Sequence, residues 1–235
     1  ETAILNILNH QSLIATKAAR ICYAAEGDGI MEFGLRRAQG PDAGIYGARA
    51  AVIGGCAGTS NVLTGQMFDV PVMGTHAHSW IMSFDDEYTA FYTYAKLYPM
   101  ACTLLVDTYD TLNSGVPNAI KVFKQMKNEG IELKNYGIRL DSGDLAYLSK
   151  KARKMLDDAG FKDATITASN DLDEFLIASL KMQGAEITNW GVGTNLITSK
   201  DCPSFGGVYK LAAIMEDGEN FTPKIKLSDN SEKIT

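Results

Sequence analysis

A β/α barrel is the architecture this sequence predicts, and three observations carry the prediction. Short apolar runs alternate with longer amphipathic ones, strand then helix, about six times at spacings of roughly 25 to 35 residues, which implies parallel strands joined by right-handed crossovers. Residue types that do chemistry fall just after the strands. The chain has 235 residues, enough for most of a barrel of roughly 250. A doubly wound open sheet shares this alternation and differs in whether the first and last strands meet.

The elements follow in order. Ile4, Ile7, Leu8, Ile14, Ala18 and Ile21 recur at three- and four-residue steps, so the first two dozen residues read as an amphipathic helix ended by Gly27 and Gly29. Ile30-Met31-Glu32-Phe33 is a strand, and Gly34 to Gly40 is a glycine-bounded loop carrying Arg36 and Arg37. Pro41 suits the first turn of a helix running to Ile53. Gly54 to Asn61 is the most glycine-rich stretch. It lacks the lysine of a P-loop and the spacing of a dinucleotide fingerprint, so close packing of a helix against a sheet explains it as well as phosphate binding does.

A capped helix over Val62 to Met67 leads to a short strand at Phe68-Asp69-Val70-Pro71 and then to Val72-Met73-Gly74-Thr75-His76-Ala77-His78. Asp86 opens a helix to Leu97 whose Tyr88, Phe91, Tyr92 and Ala95 form a core face. Cys102 to Val106 is a buried-type strand. Pro117 starts a helix stopped at Gly130, and Tyr136 to Leu140 is the next strand. Leu145 to Ala159 is a helix closed by Gly160 at the usual C′ position. Ala164 to Ala168 is a strand, Ser169 to Glu174 resembles a capping box for a helix to Met182, and Ile187 to Val192 is the last strand of the repeat. Val208 to Met215 and Lys224 to Leu227 read as two further strands outside the repeating pattern, so residues 1–205 are expected to be the barrel core and 206–235 a partial extra β region.

The composition is 46% hydrophobic and 21% charged, that of an ordinary globular protein. No apolar run approaches the roughly 18 residues of a membrane span, and no signal-peptide pattern opens the chain; a cytoplasmic protein without a membrane partner is expected. A net charge of −6 argues against nucleic acid as a partner. Cys22, Cys56, Cys102 and Cys202 are widely spaced, with no C-x-x-C pair, and are expected to be reduced. Glu1 already lies inside a helical pattern and Ser231 to Thr235 has no clear end, as expected of an internal piece of a longer polypeptide.

Arg36, His78, Asp107, Arg139 with Asp141, Asn170 with Asp171, and Gly193 with Thr194 each follow a strand. All six sets are therefore expected on one carboxyl-end face, where such folds place their sites. A surface of Arg, Asp, His and glycine amides suits a substrate with anionic groups and hydroxyls. Asp141-Ser142-Gly143-Asp144 and Ser169 to Glu174 are also what helix N-caps look like; Asp107 is not, because the next helix begins nearly ten residues later. His76 and His78 are two of the only three histidines, and alternation lets both face one cleft. His-x-His after a barrel strand is also compatible with a metal-dependent hydrolase, with Asp107 or Asp141 completing the set, because His10 lies on a helix far from any strand end. A binding domain without turnover is the third reading.

The segments Phe33-Gly34-Leu35-Arg36-Arg37-Ala38-Gln39-Gly40-Pro41-Asp42, Gly74-Thr75-His76-Ala77-His78-Ser79, Val106-Asp107-Thr108-Tyr109-Asp110, Gly137 to Asp144, Ser169 to Glu174 and Gly191 to Leu196 occur in the order found in nicotinate phosphoribosyltransferases. The resemblance spans essentially the whole chain. It implies the barrel of the type II phosphoribosyltransferases, in which nicotinate and phosphoribosyl pyrophosphate give nicotinate mononucleotide and pyrophosphate, coupled to ATP hydrolysis, in NAD synthesis. It also implies a homodimer. The family's separate N-terminal domain, with an aromatic residue that helps cover the pyridine, and its C-terminal end are not in this sequence.

By the same resemblance His78 is the histidine phosphorylated by ATP, a role that an imidazole nitrogen, nucleophilic near neutral pH, can fill. Phe33 stacks on the pyridine, Thr75 and Arg139 bind its carboxylate, and Arg36 contacts pyrophosphate. Asp107 and Asp141 hold ribose hydroxyls or their Mg²⁺ and stabilise positive charge on the ribosyl ring. Asn170 with Asp171, and Gly193 with Thr194, cradle the 5′-phosphate. In the related nicotinamide enzymes a Gly-Thr-Asp sequence supplies a carboxylate to the substrate amide; Gly58-Thr59-Ser60 offers a hydroxyl instead, which implies that Ser60 selects the acid.

Overall fold

Burial of alternating apolar segments organises the structure, a computed structural model that describes residues 1–216 and 218–230. Six parallel strands, β1 (Gly29–Glu32), β2 (Gly58–Thr59), β3 (Thr103–Leu105), β4 (Gly137–Leu140), β5 (Thr165–Ala168) and β6 (Asn189–Val192), form one sheet in the order β2-β1-β6-β5-β4-β3. Apart from β2 and β3, strands adjacent in sequence are adjacent in space, and the first strand meets the sixth, with Glu32 opposite Val192. A doubly wound sheet would reverse its strand order in the middle; this order is that of a barrel.

The ladder is open between β2 and β3. There the chain itself bridges: Pro71 and Met73 exchange backbone hydrogen bonds with Thr59, at 3.0 Å each, making a single parallel bridge at Val72. On the other side of this segment the His76 Nε2 accepts the backbone N–H of Leu105 at 3.2 Å. The strand expected at Phe68 to Pro71 is thus displaced. Helix α3 (Val62–Phe68) runs through Phe68, whose ring packs on Tyr46, and Asp69 ends it in the left-handed conformation.

The other helices are α1 (Thr2–Ala24), α2 (Pro41–Ile53), α4 (His78–Met82), α5 (Glu87–Leu97), α6 (Val116–Asn128), α7 (Leu145–Asp158), α8 (Glu174–Met182) and α9 (Thr194–Ile197). Each long one sets an apolar stripe on the sheet. The core joins Ile30, Leu104, Ile138, Leu140, Ile166, Trp190 and Val192 from the strands to Phe91, Ala119, Phe123, Ala152, Leu156 and Ile177 from the helices. Only the second half of α1 takes part. Leu13, Ile14, Ala18 and Ile21 are buried, whereas Ile4, Ile7 and Leu8, expected on the same face, are exposed.

Lys17, on that buried half, is 3% exposed and bonds Glu174 at 2.8 Å and Asp201 at 2.6 Å. Arg20 binds the same two carboxylates, so a four-charge cluster ties α1 to α8 and to the segment after α9. A charge buried this deeply is tolerable only when paired in this way.

Near the C-terminus β7 (Ala213–Met215) and β8 (Phe221–Pro223) pair antiparallel, apart from the six-stranded sheet. Both are shorter than expected, and β8 precedes the expected Lys224 to Leu227. The part of the expected 206–235 region at 217 and 231–235 lies outside the described residues. No helix of the described residues is long and apolar enough to cross a membrane.

Candidate functional site

Every strand of the repeat ends on the same side of the sheet because all are parallel, and the expected residues lie on the strand ends, loops and first helical turns that follow. Arg139 is the centre. It occupies β4, two positions before Asp141, so the two side chains project the same way. Its guanidinium donates from Nε to Ser169 Oγ at 2.8 Å, from Nη1 to Thr75 Oγ1 at 2.7 Å and from Nη2 to Asp141 Oδ1 at 3.0 Å. Its Cζ also sits 5.3 Å from the centroid of the Phe33 ring, a cation–π arrangement. The ring lies against Gly191, where a Cβ would come within 2.6 Å of it. No other residue at position 191 leaves Phe33 in this place.

Asp107 is the second junction. Its side chain is 1% exposed. Oδ1 lies 3.1 Å from His78 Nε2, and Oδ2 accepts the Asp141 backbone N–H at 2.9 Å and the Ser142 hydroxyl at 2.5 Å. Asp107 caps no helix; Asp110 does that, accepting from Asn113 ahead of a π-type turn over Thr111–Gly115. Asp144 likewise caps α7, which leaves Asp141 and Ser142 to the site. His78, Asp107, Asp141, Arg139, Thr75 and Phe33 thus form one connected chain.

His76 stands apart from that chain. It is 8% exposed, edge-on to Tyr94 at 4.6 Å, with Nε2 taken by the Leu105 N–H. Burial, with smaller contributions from Arg139 and His78, pushes its pKa down from 6.5 to about 4, so the ring is neutral and its lone pair is used. The expectation that both imidazoles face one cleft is therefore corrected, and the metal-hydrolase reading built on the pair falls with it. Among the described residues no cluster of three or more His, Cys, Asp and Glu is placed to hold a metal ion.

Asn170 and Asp171 adopt positive φ, at 93° and 48°, a strained conformation that cap formation does not require. Asp173 caps α8, and Glu174, the last residue of the stretch that resembles a capping box, pairs with Lys17 and Arg20. The turn is held by Asn195, whose Nδ2 donates to the carbonyls of Asp171 at 2.7 Å and Leu172 at 3.0 Å. Asn195 follows Gly193 and Thr194, so one buried amide joins the two segments. Ser60 follows β2 beside the end of β1: its N–H donates to the Glu32 carbonyl at 3.0 Å, and its Cβ is the nearest atom to the Gly74 Cα face, 3.9 Å from where a Cβ would lie. Arg36, in a 3₁₀ turn after β1, is exposed and makes no ion pair among the described residues.

The sequence reading missed Ser169, Ser142, Asn195, Glu32 and Thr59. Ser169 had a signal, because it follows Ala168 as Asp141 follows Leu140, and those two strand ends are paired in the sheet. Glu32 had one too, as an acid inside an apolar strand.

The nicotinate phosphoribosyltransferase (NAPRTase) family model matches residues 29–235. Over its whole length the chain is 59% identical to a nicotinate phosphoribosyltransferase of Bacillus subtilis strain 168, covering 47% of that protein. It is 34% identical to that of Homo sapiens, covering 52% of it. Among solved structures it superposes on human nicotinic acid phosphoribosyltransferase with a TM-score of 0.74 at 32% identity, over 82% of this chain and 49% of that one. On nicotinate-nucleotide pyrophosphorylase from Pyrococcus furiosus the TM-score is 0.71 at 28% identity, over 84% and 50%. The chain spans about half the length of the curated relatives it matches.

Proposed function

This chain belongs to the nicotinate phosphoribosyltransferase family, and we propose that its protein makes nicotinate mononucleotide and pyrophosphate from nicotinate and phosphoribosyl pyrophosphate, coupled to ATP hydrolysis, for NAD synthesis. The observation that carries this reading is the connected chain from His78 through Asp107 and Asp141 to Arg139, with the Phe33 ring over the guanidinium.

The roles are those that membership of the family implies, and the chemistry of these groups is consistent with them. Phe33 stacks on the pyridine while Arg139 and Thr75 bind its carboxylate, the guanidinium being fixed in plane by three acceptors. Ser60 donates a hydroxyl to the same carboxylate. The pyridine nitrogen then attacks the ribosyl carbon as pyrophosphate leaves, and Asp141 stabilises the positive charge that develops there. Arg36, exposed and without an ion pair among the described residues, takes the departing pyrophosphate. Asn170, Asp171, Gly193 and Thr194 hold the 5′-phosphate through backbone amides. His78 receives a phosphoryl group from ATP, and Asp107 orients the ring for it.

Asp141 Oδ2 carries no hydrogen bond among the described residues, whereas both oxygens of Asp107 are occupied. Asp141, with Asp107 beside it, therefore fits a Mg²⁺ that arrives with the pyrophosphate, where the ion would neutralise the leaving group. A homodimer in the cytoplasm completes the proposal.

The test uses the full-length enzyme with labelled nicotinate and phosphoribosyl pyrophosphate, with and without ATP. Nicotinate mononucleotide and pyrophosphate should appear in equal amounts, faster with ATP. Absence of the mononucleotide under both conditions would refute the reading.

A further inference from the structure

Glu32 is a charged residue where none is expected, at the end of β1 with 0% exposure and no cation beside it among the described residues. Burying a carboxyl without a counter-charge is unfavourable unless its oxygens are well satisfied. Here both are. One oxygen accepts the Gly34 N–H in a short bond, and the other accepts the Thr59 hydroxyl at 2.6 Å. Thr59 Oγ1 in turn accepts the Asn61 N–H at 3.0 Å, and the Glu32 carbonyl accepts the Ser60 N–H at 3.0 Å. Two of these hydrogen bonds, both made by Glu32, tie residues 32–34 to residues 59–61, and the other two brace each turn from within. Phe33 is at the middle of the first segment and Ser60 at the middle of the second. Gly34 is pinned from its other side as well, since a Cβ there would collide with Ile197.

We infer that Glu32 is a positioning residue that fixes the spacing of Phe33 and Ser60, the proposed slot for the aromatic acid, and so sets affinity and selectivity for it. This rests on the reading that the slot takes nicotinate. Glu32 touches neither substrate nor reacting atoms; it acts through the two turns that it clamps. Burial pushes its carboxyl up from the ordinary range, with the bonds from Thr59 and Gly34 pulling it back, in keeping with a group retained for its two acceptors. An aliphatic residue would fill the space as well, and a glutamine offers one acceptor oxygen in place of two.

The experiment compares Glu32→Ala, Glu32→Gln and Thr59→Val in the full-length enzyme. Glu32→Ala should raise the KM for nicotinate about tenfold or more and erode the preference for nicotinate over nicotinamide, while the KM for phosphoribosyl pyrophosphate and the labelling of His78 by ATP change less than about twofold. Glu32→Gln, keeping the Gly34 bond, should restore most of the affinity, and Thr59→Val should show the same split as Glu32→Ala, so the test survives if the alanine variant does not fold. Parallel losses for both substrates, or none, would overturn the inference. Amide exchange gives a readout independent of turnover: Gly34 and Asn61 should exchange faster in Glu32→Ala than in the wild type. Unchanged exchange refutes the clamp. Faster exchange in a protein whose wild type makes no mononucleotide supports the clamp and places the failure on the proposed function.

Discussion

His78 Nε2 lies 3.1 Å from Asp107 Oδ1, on a carboxylate whose side chain is 1% exposed. An acceptor fixed there holds the proton on Nε2, which leaves the lone pair on Nδ1. Phosphorylation by ATP is therefore expected on Nδ1. Phosphorus NMR of the labelled protein at neutral pH distinguishes the two phosphohistidine isomers; label on Nε2, or label that survives His78→Ala, contradicts the assignment. Asp107→Asn should slow labelling by a factor of about 10² to 10⁴, because an amide cannot serve His78, Ser142 and the Asp141 N–H as acceptor together.

His76 has a different task and should show it. His76→Ala is expected to keep ATP-dependent labelling and to lose about 2 to 4 kcal/mol of stability, since it leaves the Leu105 N–H unpaired and a void beside Tyr94. Its pKa of about 4 in the fold, against 6.5 free, means that the unfolded chain binds the proton more readily. Its contribution is fully present above pH 6.5 and is lost as pH falls from 6.5 towards 4, by about 3 kcal/mol at roughly 1.36 kcal/mol per unit. Urea unfolding of the wild type and His76→Gln between pH 7 and 4 checks this. A stability difference independent of pH would mean that His76 is not a buried neutral acceptor.

Arg139→Lys should lower kcat/KM for nicotinate by about a hundredfold or more, although charge is conserved. A lysine ammonium cannot hold Ser169, Thr75 and Asp141 in one plane under the Phe33 ring. Steady-state kinetics in the full-length enzyme measure the loss, and a change of less than about threefold would show that the planar fork is not what the site uses.

The sequence was most legible where a local signal and a long element coincide. Pro41 marks the start of α2, and Gly160 follows the end of α7. It was least legible where an element is too short to show a period: β2 has two residues and α4 five. The bridge at Val72 is a single pair, with no alternation to read. The same division runs through the site. His78, Asp107, Arg139 and Asp141 stood out because unusual residues follow strands. Ser169 and Asn195 did not, since their partners, Arg139 and the turn at Asp171, are 30 and 24 residues away and are brought near by the packing of the sheet and its loops. His76 misled for a related reason. Alternation assigns a direction to residues in a strand, but this residue lies in a loop beside the seam between β2 and β3.

Substrate choice tests the central claim most directly. Nicotinate carries its own carboxylate, so under the proposed function a serine at position 60 would donate to it where an aspartate would repel it, and Arg139 would add attraction. In steady-state kinetics of the full-length enzyme, kcat/KM for nicotinate should exceed that for nicotinamide by at least about a thousandfold, roughly 4 kcal/mol. Ser60→Asp should cost nicotinate far more than nicotinamide. A wild type that prefers nicotinamide, or equal losses for the two substrates in Ser60→Asp, would contradict the account.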